Sequence, residues 1–453
     1  MKAIEQYLKQ RDFGVVSSSF YDKIALWGKW YSGRVPAFHD YRQYNGKRKI
    51  SRSRKSLGMA KTIAEDWANL ALNEKVGISA GKEVDGDRIW SVLNANKFRV
   101  RGNQLLEQAF ALGTGAFVER MDGGDIKIDY IPADMIYPLS WDNGTTTECA
   151  FASERSVGGK SQVYLNIHRL AGGNYVIENH MFKREGSVLT EIELPEGVEA
   201  EVKTGSPVPR FQIVRPNIVN NISPDCPMGI SVYANAIDQL EGLDLVYDSY
   251  CNEFRLGKKR ITVPMTMARV TMEEDGTITP MFDDNDTEFY AMPSLEGVEN
   301  KIQEHNMEIR HESHEAGIQT ALNLLSFKCG MGKDRFNFKD GQVKTATEVI
   351  SEKSDLYQSL KKHELLLEDV LVGLTRAVAD MLGMSPDLEI TVNFDDSIIE
   401  DSASEQQKDL QLVSSGIMAK WEYRVKWMGE DEETARAKIE DASSGFEGLT
   451  FNA

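Results

Sequence analysis

The sequence predicts an α+β protein in which helices and an antiparallel sheet occupy separate stretches of the chain. Three observations support this fold class. Apolar residues recur at helical spacing over 57–73, short segments of alternating polarity follow one another between 116 and 194, and long helical patterns return after Gly229. Separate blocks of helices and strands are typical of α+β architectures, whereas regular alternation of the two would indicate a parallel sheet.

Length and composition are those of a folded chain. With 453 residues, of which 41% are hydrophobic and 27% charged, the chain is long enough for about three domains. These values exclude a disordered tail, a fibrous repeat and a disulfide-stapled miniprotein. No apolar stretch approaches the roughly 18 residues that span a bilayer, and the N-terminus lacks the apolar core of a signal peptide. We therefore expect a cytoplasmic origin and no membrane partner.

The charge of the chain is acidic overall but unevenly distributed. Asp and Glu (70) outnumber Lys and Arg (52), and the net charge of −18 opposes the wrapping of nucleic acid. Residues 1–61, however, hold 14 Lys and Arg against 4 Asp and Glu, and the densest cluster spans 42–55 beside Tyr41 and Tyr44. Such a cluster could grip nucleic acid, meet the acidic surface of another copy, or form a solvated arm.

The first half of the chain divides into helices, a β meander and a linker. Helices are predicted over 57–73, 86–95 and 101–112, and the last ends at Gly113-Thr114-Gly115. Asp122-Gly123-Gly124 lies between two alternating segments and predicts a hairpin. Further alternating segments predict an antiparallel meander; they cover 147–155, 161–169, 174–182 and 187–194. Five prolines between 207 and 227 then predict an extended linker.

The second half contains three long helical patterns. A helix of about 25 residues ends near Gly257, a β-rich insert covers 260–293, and a second helix spans 300–326 with an almost entirely polar first half. A glycine-containing basic loop precedes a helix of about 37 residues that ends at Gly383, and one strand follows over 388–394. The tail, 395–453, is predicted to be helical, with a small core formed by Leu410, Val413, Ile417, Trp421, Tyr423 and Trp427.

No catalytic or cofactor-binding pattern is present in the sequence. The four cysteines are too far apart for a zinc or redox pair, and the glycines at 113–115 and 330–332 fail the dinucleotide and P-loop patterns. His311 and His314 lack further ligands for a metal. Asp395 and Asp396 could hold Mg²⁺ in a nuclease, but they fit a helix N-cap equally well. We therefore expect no enzyme activity and no cofactor.

The order of these parts resembles the portal proteins of tailed bacteriophages, most closely those of long-tailed phages that infect Gram-positive bacteria. The resemblance is carried by four stretches: MAKTIAEDWANLALNEKVGI (59–78), ALGTGAFVERMDGGDIKIDYIPADMIYPLSWDNG (111–144), PMGISVYANAIDQLEGLDLVYDSYCNEFRLGKKRI (227–261) and KTATEVISEKSDLYQSLKKHE (344–364). None of them is a catalytic signature, so their order and spacing along the chain carry the resemblance.

The resemblance implies a ring, usually of twelve copies, at one vertex of the capsid, through which double-stranded DNA enters and leaves without sequence-specific contacts. By position, it assigns a wing to 1–226, a stem helix to 227–258, a clip to 259–299, a second stem helix to 300–326, a tunnel loop to 327–344, a long wing helix and strand to 345–394, and a crown to 395–453.

The resemblance also implies sites and partners. The DNA-facing cations of the tunnel loop would be Lys333, Arg335, Lys339 and Lys344. Lys258, Lys259 and Arg260 would form the clip base near the docking site of the packaging motor. Expected partners are other copies of the chain, the terminase large subunit, the major capsid and scaffolding proteins, and the head-completion adaptor. The protein would be made in the host cytoplasm and end in the virion. The alternatives are a Mg²⁺-dependent nuclease and a scaffold protein that does not handle DNA.

Overall fold

The computed structural model describes residues 2–44, 48–186, 188–264, 271–272, 278–279, 289–292, 301–337, 346–394 and 402–444. It contains long helices and antiparallel sheets in separate stretches, which confirms the predicted α+β class. The predicted nuclease residues Asp395 and Asp396 lie outside the described residues.

The N-terminal part is mainly helical. Its elements are α1 (Lys2–Gln10), α2 (Ser18–Tyr31), α3 (Pro36–His39), β1 (Asp40–Tyr44), β2 (Lys49–Ser53), α4 (Met59–Ala71), β3 (Gly77–Ala80), α5 (Glu83–Ala95) and α6 (Phe98–Leu112). The three helices predicted from apolar periodicity are confirmed as α4, α5 and α6. The basic cluster at 42–55 falls largely on the β1–β2 hairpin, in which Tyr41 faces Arg52.

The middle of the chain forms two antiparallel sheets. Its strands are β4 (Gly115–Asp122), β5 (Asp125–Pro132), β6 (Ile136–Asp142), β7 (Thr145–Val157), β8 (Lys160–Ala171), β9 (Asn174–Glu185), β10 (Val188–Ile192), β11 (Glu201–Lys203) and β12 (Phe211–Val214). The predicted hairpin is β4–β5, and the meander is a six-stranded sheet with the order β10-β9-β8-β7-β6, in which β11 also pairs with β9. Both predictions are confirmed.

The proline-rich segment is more than a linker. Within it, β12 pairs with β4 and places Phe211 opposite Val118, so the segment completes a three-stranded sheet. The prediction of an extended linker is wrong at this point. Pro209 and Pro216 lie outside the strand, so the four residues of β12 pair with β4 without losing a backbone donor.

The second half contains the long helices. Its elements are α7 (Ile237–Leu256), β13 (Arg260–Pro264), β14 (Thr271–Met272), β15 (Ile278–Thr279), β16 (Phe289–Met292), β17 (Gln303–His305), α8 (His311–Lys328), α9 (Ala346–Met381), β18 (Ile390–Asn393), α10 (Ser402–Ser414), α11 (Lys420–Met428) and α12 (Glu432–Ser444). The long helix has 36 residues, close to the prediction. The returning strand is β18, which pairs with β3.

The second of the long helical patterns, predicted over 300–326, begins later in the structure than the sequence indicates. It begins at His311, and residues 303–305 instead form β17, which pairs antiparallel with β13. The polar run of the predicted helix is therefore partly a strand of a small β module, which we define as the sheet of β13, β16 and β17. Alternation cannot be recognised in three consecutive residues that are all exposed, so the sequence carried no period-two signal here.

The predicted core of the tail is wrong for the single chain. Leu410 is 51% exposed, Ile417 is 76% exposed, and α11 has no buried residue. Polar contacts join α10 to α11 instead: Asp409 accepts from Lys426 at 2.8 Å and from Trp427 Nε1 at 2.9 Å. Short helices with scattered aromatics have too little apolar surface on one face to exclude water.

The helical and sheet regions share one core, within which two glycines make a close backbone contact. Gly113 ends α6 with a φ of +87°, and a Cβ built on it would lie 2.4 Å from the carbonyl oxygen of Gly229. The hydroxyl of Thr114 accepts a hydrogen bond from the Gly229 amide at 3.1 Å. The contact joins the end of α6 to the segment that leads into α7, and neither glycine has room for a side chain.

Candidate functional site

The described part of the predicted tunnel loop begins with a glycine turn after α8. Gly330 has a φ of +78°, and the amides of Gly330 and Met331 donate to the carbonyls of Phe327 and Ser326 at 3.1 and 3.0 Å. This is the usual way in which a left-handed glycine closes a helix. Cys329 and Met331 are both buried, so the loop leaves α8 from a fixed base.

Arg335 is held by a carboxylate of a distant helix. Its Nε and Nη2 donate to the two carboxylate oxygens of Asp66, in α4, at 2.7 and 2.6 Å. The hydrogen bonds to Asp66 raise the pKa of Arg335 above its usual value. A bidentate pair of this kind fixes the orientation of the guanidinium as well as its position. Arg335 thus anchors the loop to α4, and much of its charge is neutralised there.

Two amide side chains of α8 hold the same segment from the other side. Asn323 Nδ2 donates to Asp334 Oδ1 at 3.1 Å, and Gln319 Nε2 donates to the carbonyl of Phe336 at 3.1 Å. Residues 334–336 therefore run back along α8. This packing directs the chain between two helices before it leaves the described residues at 337.

The four predicted cations differ in their surroundings. Lys333 is exposed, whereas Arg335 is paired with Asp66. Lys339 and Lys344 lie outside the described residues. The role of all four against DNA remains a prediction.

Buried aromatic side chains support the loop base. Trp67 Nε1 donates to the carbonyl of Cys329 at 3.2 Å, and the Trp67 ring lies 4.8 Å from the ring of His363 in α9. Burial lowers the pKa of His363 to about 4, so the imidazole is neutral near pH 7. The Nδ1 of His363 accepts a hydrogen bond from the backbone amide of Asn217 at 3.0 Å. Sequence reasoning missed Asp66, Trp67 and His363 as loop supports, because only the fold brings them to the loop.

We expect loss of the Arg335–Asp66 pair to loosen the loop base. Arg335→Ala and Asp66→Ala should each destabilise the local structure by about 1 kcal/mol, since the pair is bidentate but partly exposed. Cleavage by chymotrypsin after Phe336 should then be about fivefold faster in either variant than in the unmodified protein. The double variant should be cleaved no faster than either single variant, because both remove the same pair. Lys333→Ala is the matched control and should leave the rate unchanged. Equal rates in the unmodified protein and in all four variants would contradict the anchoring role.

The residues predicted at the clip base lie at the start of the small β module. Lys259 forms an ion pair with Glu304 at 2.7 Å, and Arg260 Nη2 donates to the carbonyl of Leu256 at 3.3 Å. Lys258 is exposed. In the module, β13 pairs in parallel with β16 and antiparallel with β17. Lys259 and Arg260 thus help to hold the module onto the end of α7.

The two helices that flank this module pack antiparallel and are joined near its base. Arg310 donates from Nε and Nη2 to the two carboxylate oxygens of Glu253 at 2.9 and 2.8 Å. The hydrogen bond from Arg310 lowers the pKa of Glu253 to about 2. His314 Nε2 lies 3.6 Å from the same carboxylate, which explains its place on α8 without a metal. Among the described residues, no group of His, Cys, Asp or Glu side chains could hold a metal ion.

None of the helices in the described ranges has the length and apolar composition of a membrane span. No curated protein sequence matched the chain. A family model described as "Phage portal protein, SPP1 Gp6-like" matches residues 17–444, which is nearly the whole chain. The portal resemblance inferred from four sequence stretches is thereby confirmed. The chain therefore belongs to the SPP1 Gp6-like family of phage portal proteins and is a component of a tailed-phage capsid.

Proposed function

We propose that this portal protein assembles into a ring, usually of twelve copies in the family it resembles, at the unique vertex of the capsid. Double-stranded DNA would pass through the ring during packaging and ejection. The small β module would dock the terminase large subunit and later the head-completion adaptor, and the outer body would contact the major capsid and scaffolding proteins. The role is structural, with no catalytic step and no cofactor.

The observation that carries the proposal is uncovered apolar surface on the paired helices. Large apolar side chains on both α7 and α8 remain about half exposed in the single chain; they are Leu245, Phe254, Leu256, Leu324 and Phe327. Large apolar side chains left exposed on adjoining helices favour protein–protein contacts. Neighbouring copies in a closed ring would cover these side chains, because each copy presents the same surfaces at every step around the axis.

The helix pair also has the shape that a conduit needs. Tyr250 and Glu253 of α7 contact His314 of α8 and Arg310 at its start, so the two helices run side by side toward the module that lies between them in the sequence. A ring of such pairs would give the channel an extended wall. The net charge of −18 per copy opposes tight binding of DNA to that wall, and the lysines of the loop would supply weak phosphate contacts without sequence preference.

We expect the lysines of the loop to act on DNA and not on assembly. A variant with Lys333, Lys339 and Lys344 all replaced by alanine keeps the Arg335–Asp66 anchor. It should form rings of several hundred kilodaltons with a central hole, like the unmodified protein. Phage that carry it should package or retain much less DNA, because a ring of phosphate contacts is lost.

The measurements are negative-stain images of the purified proteins and the amount of nuclease-protected DNA per capsid. A matched control replaces Lys75, Lys82 and Lys97, which lie in the α4–α6 region, and should package normally. If the unmodified protein stays monomeric at every salt concentration, the ring is contradicted. If rings form and the triple-lysine variant packages normally, only the role of the loop is contradicted.

A further inference from the structure

The β1–β2 hairpin presents cations on its exposed face. Arg42 and Tyr44 of β1 face Ser51 and Lys49 of β2, so these four side chains lie on one side of the ribbon. Arg42 and Lys49 are exposed, and in the described structure neither forms an ion pair. The opposite face is partly covered: Arg54 lies over the Tyr41 ring at 4.5 Å. We call the two strands, residues 40–44 and 49–53, the basic hairpin.

The basic hairpin is attached to a firm base. A two-stranded ribbon alone is marginally stable in water. Here His39, just before β1, contacts the buried carboxylate of Asp244 at 3.1 Å. After β2, the amides of Lys55 and Leu57 donate to Asp248 and Asp244 at 3.0 and 2.8 Å. Both ends are thus tied to α7, so the exposed cations have a defined position on the subunit.

A second surface carries unpaired charge of the opposite sign. Residues 193–201, which we call the acidic ribbon, connect β10 to β11 along one edge of the six-stranded sheet. Glu193, Glu196 and Glu199 are exposed there, and none forms an ion pair within the described ranges. Asn179 of β9 holds the backbone of the ribbon: its amide donates to the Ala200 carbonyl at 2.8 Å and its Nδ2 to the Glu199 carbonyl at 2.7 Å.

The two surfaces do not neutralise each other within one chain, since no ion pair joins them among the described residues. A closed ring requires two different patches on each copy that fit each other head to tail. We propose that the basic hairpin of one copy docks on the acidic ribbon of the adjacent copy. This inference rests on the proposed ring. It names one contact that would hold the ring together and set the relative orientation of adjacent copies.

A second copy fits the basic hairpin better than nucleic acid does. Every copy carries both the cations and the glutamates, so a ring satisfies all of them without another component. The rest of the chain is strongly acidic, and that charge repels DNA from the body of the subunit. Complementary charge of this kind contributes mainly to the choice and orientation of partners.

Charge reversal tests the contact. Arg42→Glu with Lys49→Glu reverses the basic hairpin, Glu196→Lys with Glu199→Lys reverses the acidic ribbon, and the fourfold variant carries both changes. The protein concentration at which half of the chains are in rings is measured by light scattering at low salt. Each reversal alone should raise that concentration about tenfold or more, and the fourfold variant should return to within about threefold of the unmodified protein.

Lys23→Glu with Lys29→Glu is the matched control, because these exposed cations of α2 give the same charge change outside the hairpin. It should leave the midpoint unchanged. Rings that form equally well in every variant would overturn the docking contact while leaving the ring intact. Loss of nonspecific DNA binding by the hairpin variant, with assembly unchanged, would overturn it in favour of nucleic acid. Absence of rings in the unmodified protein would instead contradict the proposed function.

Discussion

Replacing Gly113 with alanine is expected to destabilise the chain by more than about 4 kcal/mol and to leave most of the protein insoluble. The backbone of Gly113 is left-handed, a conformation that costs a residue with a side chain about 1 kcal/mol by itself. The larger cost is steric. The new Cβ would lie 2.4 Å from the Gly229 oxygen and 2.8 Å from its carbonyl carbon. Neither is the movable end of a side chain, so the segment leading into α7 would have to shift.

Gly124→Ala is the matched control for this prediction. Gly124 also has a left-handed backbone, with a φ of +93°, but nothing lies within 4 Å of the position of its Cβ. It should cost only about 1 kcal/mol. The yield of soluble protein and the thermal unfolding midpoint distinguish the two variants. If both change stability equally, the close glycine contact contributes nothing beyond the backbone conformation.

Replacing Glu119 with glutamine is expected to stabilise the protein, and more so as the pH rises. Glu119 of β4 is fully buried, and neither carboxyl oxygen has a hydrogen-bond partner among the described residues. Burial raises the pKa of this carboxyl from 4.5 to about 8, against the opposing effect of the Arg210 charge. Glutamine has nearly the same shape and never ionises, so it removes the cost of a buried, titratable acid.

The direction of the pH effect follows from the two states of the acid. Between pH 4.5 and 8 the unfolded chain releases this proton while the folded chain keeps it, so folding loses stability as the pH rises through that interval. The loss amounts to about 3 kcal/mol near pH 7. The glutamine variant should therefore match the unmodified protein near pH 5 and unfold several degrees higher at pH 8.

Thermal unfolding at pH 5 and pH 8 checks this prediction. Glu83→Gln, at an exposed position in the first turn of α5, serves as the control and should change the midpoint by the same small amount at both values. A glutamine variant at position 119 that is less stable at both pH values would show that the carboxylate has a stabilising partner.

Much of the fold could be predicted because its signals are local. The α4–α6 helices and the β4–β5 hairpin follow from apolar spacing and a glycine turn, and the 36-residue α9 follows from a long apolar stripe. Elements that depend on a distant partner were missed. Strand β12 is four residues long between prolines and exists because β4 offers an edge, and β17 exists because β13 does. Three or four residues are too few to establish a period.

The candidate site was predictable only in part for the same reason. Glycines and cations identified the loop after α8, and its first turn is where the sequence placed it. The side chains that hold the loop come from elsewhere: Asp66 is more than 260 residues away along the chain, and its carboxylate reaches Arg335 only in the fold. The sequence alone therefore could not show which cation of the basic loop anchors it and which remains exposed.

The attachment of α7 has a geometric consequence for everything beyond its end. Asp244 and Asp248 grip the 55–57 segment at successive turns, about 6 Å apart along the axis, while Leu256 lies about 12 Å past the second grip. With the first grip held, a lateral displacement of 1 Å at Asp248 becomes about 3 Å at Leu256. Two hydrogen bonds to main-chain amides thus fix the direction of α7, and the orientation of β13 depends on how rigidly they hold it.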